Sequence, residues 1–411
     1  MTFQKIAAET YLPSPPAEGP PVVVVRKYDE VRDKAAVEEL ERRCEVGQPG
    51  KPSLVTDLMG DPIARVRNFM SHIMLVAEYG DGNEIVGVIR GCIKTVTNGK
   101  KMSSTQLPVY VKLAYILGLR VSSTHRRLGI ATKLVQELEN WCKQNGAEYA
   151  YMATECNNKP SLNLFTQKCN YVKFRNPTVL VQPVHLHSKP LPLDIIIVRI
   201  PPQLAELVYR NVFSTSEFFP KDIDRLLSNK LNLGTFMALP KKSLSNWNPK
   251  TRELPSSFAI LSIWDTKEVY RLQVKGVSVL THAVCLGTRV FDAMVPWLKI
   301  PSFPNVFENF GFYFLYGLHM EGKDGPRLMK SLCKFAHNMA RNDAGCRVLV
   351  AEVGQMDPVR EAIPHWKKFS WDEDVWCIKR FGEVNENCHD WYKSSVSSSS
   401  SSVIFVDPRD L

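Results

Sequence analysis

Residues 117–134 read LGLRVSSTHRRLGIATKL: an apolar run, a polar turn carrying His125, Arg126 and Arg127, and then Gly129, Ile130 and Ala131 opening a helical repeat. Ile130, Ala131, Leu134, Val135, Leu138, Trp141 and Cys142 share one helix face, and Lys133, Gln136, Glu137, Asn140 and Lys143 share the other. Asn145-Gly146 ends the repeat as a left-handed cap would. A strand that feeds a helix through such a turn presents unpaired amide donors and the positive end of the helix dipole, which suits a diphosphate. The turn has no Lys-Ser/Thr pair for a nucleotide P-loop, and its single glycine does not make a dinucleotide fingerprint.

Outward from this turn, the preceding chain reads as strand, helix and three strands. Val22 to Val25 is β-branched, and Ala36, Val37, Leu40 and Cys44 fall at helical spacing. His72 to Tyr79 and Ile85 to Val96 flank a Gly80-Asp81-Gly82-Asn83 hairpin signal, and Val109 to Val121 is a third long run. After the helix come a strand at Ala147 to Thr154, a short helix at Pro160 to Lys168 and a strand near Tyr171 to Phe174. This order predicts one domain over 22–176.

Residues 177–193 carry four prolines and read as a linker, and beyond them a similar order returns. A strand at Asp194 to Ile200 precedes helices at Pro202 to Val212 and Pro220 to Leu231, then strands at Phe236 to Ala238, Ser257 to Asp265 and Phe310 to Met320. A helix with Leu328, Leu332, Phe335 and Met339 on one face leads to a β run at Arg347 to Val353. Setting Gly129 against Gly325 makes 194–393 a diverged copy of the first domain. The expected class is α/β (α+β), with two tandem domains, each a mixed central sheet flanked by helices. Residues 1–21, with five prolines, read as a leader; 394–411 read as a Ser-rich tail whose Val403-Ile404-Phe405-Val406 should dock back as a terminal strand.

Hydrophobic residues at 44% and charged residues at 23% of 411 exclude collagen-like, coiled-coil and wholly disordered classes. The net charge of +10 suits an anionic cofactor, an acidic partner or nucleic acid without choosing among them. Ten cysteines with no Cys-x-x-Cys pair indicate neither a zinc ribbon nor a disulfide framework. His185 and His187 are too few for a metal and read as linker residues, so no metal site is expected. With no signal-peptide core and no run of about 18 apolar residues, a soluble intracellular protein without a membrane partner is expected.

The pattern Arg-x-x-Gly-x-Ala at Arg126 to Ala131, between a long strand and an amphipathic helix, resembles the acetyl-CoA pyrophosphate loop of the GNAT acetyltransferase family. The surrounding strand order resembles that family too. The resemblance implies acetyl-CoA as cofactor: Leu119 and Val121 would contact pantetheine through their backbones, where strand 109–121 splays from strand 147–154. It implies that Arg126, Arg127, Leu128, Gly129, Ile130 and Ala131 hold the pyrophosphate, that Asn158 is the asparagine after the next strand, and that Phe165 packs on the acyl chain. Two catalytic positions depart from the family pattern. Tyr115-Ile116-Leu117-Gly118-Leu119-Arg120 carries no base carboxylate, and the helix after Asn158 offers Phe165 or Thr166 where the family has a tyrosine acid. Glu155 at the next strand's end is the nearest substitute base, followed by Glu78, and Tyr115 is a candidate for acid–base work.

In the second copy Gly322-Lys323-Asp324-Gly325-Pro326-Arg327 replaces the turn. Pro326 deletes an amide donor and Asp324 opposes phosphate, so this degenerate copy should have lost acetyl-CoA. The segments at 321–337 and 357–371, with the terminal VDPRDL, look like the plant Hookless-type N-acetyltransferases over the whole chain. That likeness implies acetyl transfer to lysines of a protein, histones among the candidates, and the nucleus rather than the cytoplasm. It also implies a part in ethylene-, auxin- and light-dependent growth of the seedling apical hook. The alternative is a catalytically weak acetyl-CoA-binding regulatory scaffold. Direct nucleic-acid binding is not indicated, since no recognition motif accompanies the charge.

Overall fold

The computed structural model describes residues 22–44, 52–82, 84–102, 105, 107–246, 254–367, 370, 374–382 and 403–411; the leader at 1–21 and the serine run at 394–402 lie outside the described residues. The first half contains β1 (Val23–Lys27), α1 (Glu30–Arg43), β2 (Ser53–Asp57), α2 (Ala64–Arg67), β3 (Ser71–Tyr79), β4 (Glu84–Lys101) and β5 (Pro108–Val121). It continues through α3 (Ile130–Gln144), β6 (Tyr149–Glu155), α4 (Lys159–Asn163) and β7 (Val172–Arg175). Asp29 starts α1 by accepting the Val31 and Arg32 amides. The apolar stripe expected of α3 is buried at Ile130, Leu134, Val135, Leu138 and Cys142, and Gly146 takes the left-handed conformation that stops it.

The rest comprises β8 (Thr178–Pro183), β9 (Ile195–Ile200), α5 (Pro202–Val212), β10 (Glu217–Pro220), α6 (Ile223–Leu227), β11 (Asn232–Pro240) and β12 (Phe258–Asp265). Then come β13 (Arg271–Lys275), α7 (Val279–Met294), β14 (Gly311–Glu321), α8 (Gly325–Arg341), β15 (Cys346–Val353) and β16 (Asp374–Arg380). The helix expected from Pro220 shrinks to α6, because Pro220 closes β10 opposite Val96 of β4.

The main path of the first sheet is β1-β3-β4-β5-β6-β16-β7 and the second sheet runs β9-β11-β12-β14-β15-β8. In each, a long strand is joined through a helix to a parallel neighbour, β5 to β6 through α3 and β14 to β15 through α8. The two tandem α/β copies are thus present, but they exchange strands. Strand β16, from late in the chain, completes the first sheet against β6, and β8 completes the second against β15.

Residues 177–193 are therefore not a plain linker. Pro183 ends β8, where loss of a ladder donor costs little, and Val179 and Leu180 are buried. His185 and His187 are not linker residues either, since both are buried. Their rings stack 5.2 Å apart, the His185 amide donates to His337 Nε2 at 2.9 Å, and His187 Nδ1 meets Asp292 Oδ1 at 2.9 Å. Among the described residues no group of His, Cys, Asp and Glu is placed to hold a metal.

Burial pushes His185 down from 6.5 to about 4. The unfolded chain protonates near 6.5 while the folded chain resists, so this contribution is complete above 6.5 and is lost as pH falls toward 4, by about 3 kcal/mol. Denaturant midpoints at pH 7 and pH 5 should differ more in the wild type than in His185→Gln. Equal differences would contradict this.

Three clusters form most of the interior: one between the first sheet and α3, one between the second sheet and α8, and a large one between the two sheets. Ile404, Phe405 and Val406 lie in the last of these, so the chain end packs between the sheets. It does so through one bridge to Glu217 and a turn at Pro408–Asp410 rather than through a regular strand.

Candidate active site

The parallel ladder between β5 and β6 ends at Ile116 opposite Met152. Beyond it β6 stays with β16, up to Glu155 opposite Asp374, whereas β5 stays with β4, up to Val121 opposite Gly87. The register of β4 and β5 slips around Gly118, whose φ of 62° bends the strand away. A Cβ there would lie 2.6 Å from Arg90 Nη1, so glycine is also needed for the close approach. Arg90 is buried and fixes the bend: Nη1 meets Glu41 at 2.7 Å and Nε donates to the Pro62 carbonyl at 2.7 Å. Leu119 and Val121 thus line a slot between diverging strands. The Leu119 carbonyl accepts Arg120 Nη1 at 3.1 Å, and the Val121 carbonyl faces the Cys44 thiol at 3.9 Å.

At the mouth of the slot the 126–131 turn opens α3. Arg127 and Gly129 take left-handed conformations, with φ of 67° and 79°. No side chain caps the helix among the described residues, and its first turn holds no acidic residue. A Cβ on Gly129 would meet nothing within 4 Å among the described residues, so the space above the free amides is open. Arg126, Arg127 and Leu128 are exposed, whereas Ile130 is buried and anchors the helix. Lys133, in the first turn of α3, donates to the Val23 carbonyl at 2.5 Å. Free amides, open space and two arginines fit a diphosphate.

Asn158 caps α4 by accepting the Ser161 amide at 3.3 Å, and its amide group donates to Thr154 Oγ1 at 3.1 Å. Residues Leu164–Lys168 form a π-turn, which holds one residue more than an α-helical turn and blurs the choice between Phe165 and Thr166. Phe165 is buried against Tyr171 at 5.1 Å, on the α3 side of the sheet, and Thr166 Oγ1 donates to the Leu162 carbonyl.

Glu155 is exposed at the end of β6. Glu78 is tied to Arg26 at 2.6 Å and Arg32 at 2.5 Å, so it is unsuited to act as a base. Tyr115 is buried on the face opposite α3 and stacks on Tyr151 at 4.6 Å. Two further carboxyls join this face. Burial, with the Glu155 charge, raises Asp374 to about 6, and burial raises Glu352 to about 8 while Trp376 Nε1 donates to it at 3.2 Å. Sequence reading missed both because their strands belong to the other half.

The second copy has the same bend, at Gly317 with φ of 59°, but there a Cβ would strike the Tyr209 ring at 2.7 Å. At Gly322 a Cβ would lie 2.2 Å from the Ser256 carbonyl. Arg327 is committed to Asp194 through two bonds of 2.7 Å. At Gly325, the position set against Gly129, a Cβ would lie 3.3 Å from Met320 Cβ, so the space open at Gly129 is narrowed here.

The acetyltransferase (GNAT) family matches residues 35–171. An Arabidopsis thaliana protein described as "Probable N-acetyltransferase HLS1" is 50% identical over 95% of this chain and 100% of its own length. "Acetyl transferase GW6a" of Oryza sativa subsp. japonica is 40% identical over 95% of this chain and 97% of its own. Among solved structures, Saccharomyces cerevisiae N-myristoyltransferase with bound myristoyl-CoA shares the fold at a TM-score of 0.51 and 9% identity, over 87% of this chain and 82% of that one. The open turn, the splayed strands and full-length relatives at this identity make the chain a member of the GNAT N-acetyltransferase family.

Proposed function

We propose that the first half binds acetyl-CoA and transfers its acetyl group to an amine, with lysine side chains of a protein, histones included, as acceptors. The observation that carries this reading is the uncapped, open amino end of α3 above the β5–β6 slot. Arg126 to Ala131 would hold the pyrophosphate, and the Leu119 and Val121 backbones the pantetheine. Asn158 would help align the pantetheine arm. Phe165 supports this wall from within the core rather than touching the acyl chain. The bound cofactor supplies an activated acyl carbon; the protein orients it and excludes water. Glu155 and Asp374, paired across β6 and β16, suit a cationic acceptor at the rim.

Resemblance to the Hookless-type proteins extends the proposal to the nucleus and to ethylene-, auxin- and light-dependent growth of the apical hook. Among the described residues no helix is long and apolar enough to cross a membrane, and the proposed partners are acetyl-CoA and a protein acceptor.

The test compares Gly129→Asp with Gly129→Asn, two side chains of one shape that differ in charge and tolerate the left-handed backbone. Acetyl-CoA affinity by calorimetry should be about tenfold weaker for Asp than for Asn, the effect of roughly 1–2 kcal/mol at a helix amino terminus. Equal affinities would remove the turn from the site.

A further inference from the structure

We propose that Asp410, carried inside by the last residues of the chain, accepts through Tyr151 the proton that the acceptor amine loses, replacing the base carboxylate that β5 lacks. The proposal rests on the acetyltransferase reading above. Tyr115 and Tyr151 face each other one pair before the β5–β6 ladder ends, on the face opposite α3. They therefore lie buried just short of the point where the two strands part, beneath the place where a thioester would lie. Tyr151 Oη donates to Asp410 Oδ2 at 2.6 Å, and Lys94 Nζ donates to the same oxygen at 2.5 Å. Lys94 also lies 5.3 Å from the Tyr151 ring.

The other carboxylate oxygen, Oδ1, is buried and has no hydrogen-bond partner among the described residues. The proton arriving from Tyr151 goes to Oδ2, and the unpartnered Oδ1 leaves the carboxylate less stabilised as an anion and readier to take that proton. The segment is held firmly, with Arg409 donating to Asp222 and to Asp407 at 2.7 Å each. The groups facing Asp410 are Cys92 and Lys94 from β4, Tyr115 from β5 and Tyr151 from β6. Among the described residues, Glu352 from β15 and Asp407 from the terminal segment also act on its charge. Burial raises Asp410, and the Lys94 charge opposes that rise.

The protons balance. Tyr151 takes one proton from the ammonium group as its own passes to Asp410. The freed amine attacks the thioester carbon, a C–N bond forms, and the C–S bond breaks. The proton on Asp410 returns through Tyr151 to the thiolate, and the second nitrogen proton leaves to solvent. Ammonium and acetyl-CoA give amide, CoA thiol and one proton. Asp410 acts through Tyr151 and is a positioning and proton-accepting residue.

The test measures acetyl-CoA affinity by calorimetry and acetylation of a histone-derived lysine peptide from pH 6 to 9 in the wild type, Asp410→Asn and Tyr151→Phe. The second variant leaves the Lys94–Asp410 pair intact should the first fail to fold. Each should bind acetyl-CoA within about twofold of wild type and lose about 100-fold in kcat, with the plateau of the pH profile replaced by a continuous rise. Tyr151→Phe with kcat within threefold of wild type and an unchanged profile would overturn the relay, as would the same result for Asp410→Asn. A wild-type protein that binds acetyl-CoA yet acetylates neither this peptide nor polylysine would overturn the relay and the acetyltransferase reading together.

Discussion

Deleting residues 403–411 should abolish cooperative folding. Ile404, Phe405 and Val406 are all buried between the two sheets, where Phe405 packs on Phe213 and Phe219 at 5.2 Å each. Each such side chain contributes about 1.5–3 kcal/mol on burial. The deletion also strips Lys94 of Asp410, leaving an ammonium group unpaired in the core. Breaking one side of a buried ion pair costs about 3–5 kcal/mol. Together these losses reach the roughly 5–15 kcal/mol that stabilises a whole domain. Thermal unfolding of the truncated chain should show no transition near that of the full chain; a midpoint within about 3 °C would contradict the packing.

Glu41→Gln should have the next largest effect. Arg90 is 1% exposed, and Glu41 is the carboxylate that meets it. Burial pushes the Glu41 carboxyl up, but the Arg90 and Arg120 charges more than reverse this and hold it below its ordinary value. Removing the charge leaves a guanidinium uncompensated beneath the Gly118 bend, at a cost of about 3–5 kcal/mol. Because Arg90 supports that bend, acetyl-CoA binding should weaken as well. Denaturant unfolding with a loss under about 1 kcal/mol would contradict the role assigned to the pair.

Much of the first half was legible because its signals are local. The stripe on α3, the Gly80-Asp81-Gly82-Asn83 turn and the long run ending at Val121 each specify an element within a few residues. The exchange of β8 and β16 was not legible, because each strand pairs with one far away in the chain and prolines in 177–193 mimic a linker. The same distance hid the pair proposed here as a proton relay. Tyr151 and Asp410 are 259 positions apart, and a polar hexapeptide at a chain end carries no periodicity to announce burial. The turn from Arg126 to Ala131 was readable as a strand-to-helix junction because it is one contiguous segment. Phe165 was harder: a π-turn shifts the register by one, and burial in the α3-side core is a property of packing.

The central claim is that one half holds acetyl-CoA and the other, with Tyr209 against Gly317 and Ser256 against Gly322, does not. Calorimetric titration of the full chain with acetyl-CoA tests it most directly. A stoichiometry of one, abolished or strongly weakened by Gly129→Asp, is the expected result; two sites per chain, or none, would contradict it.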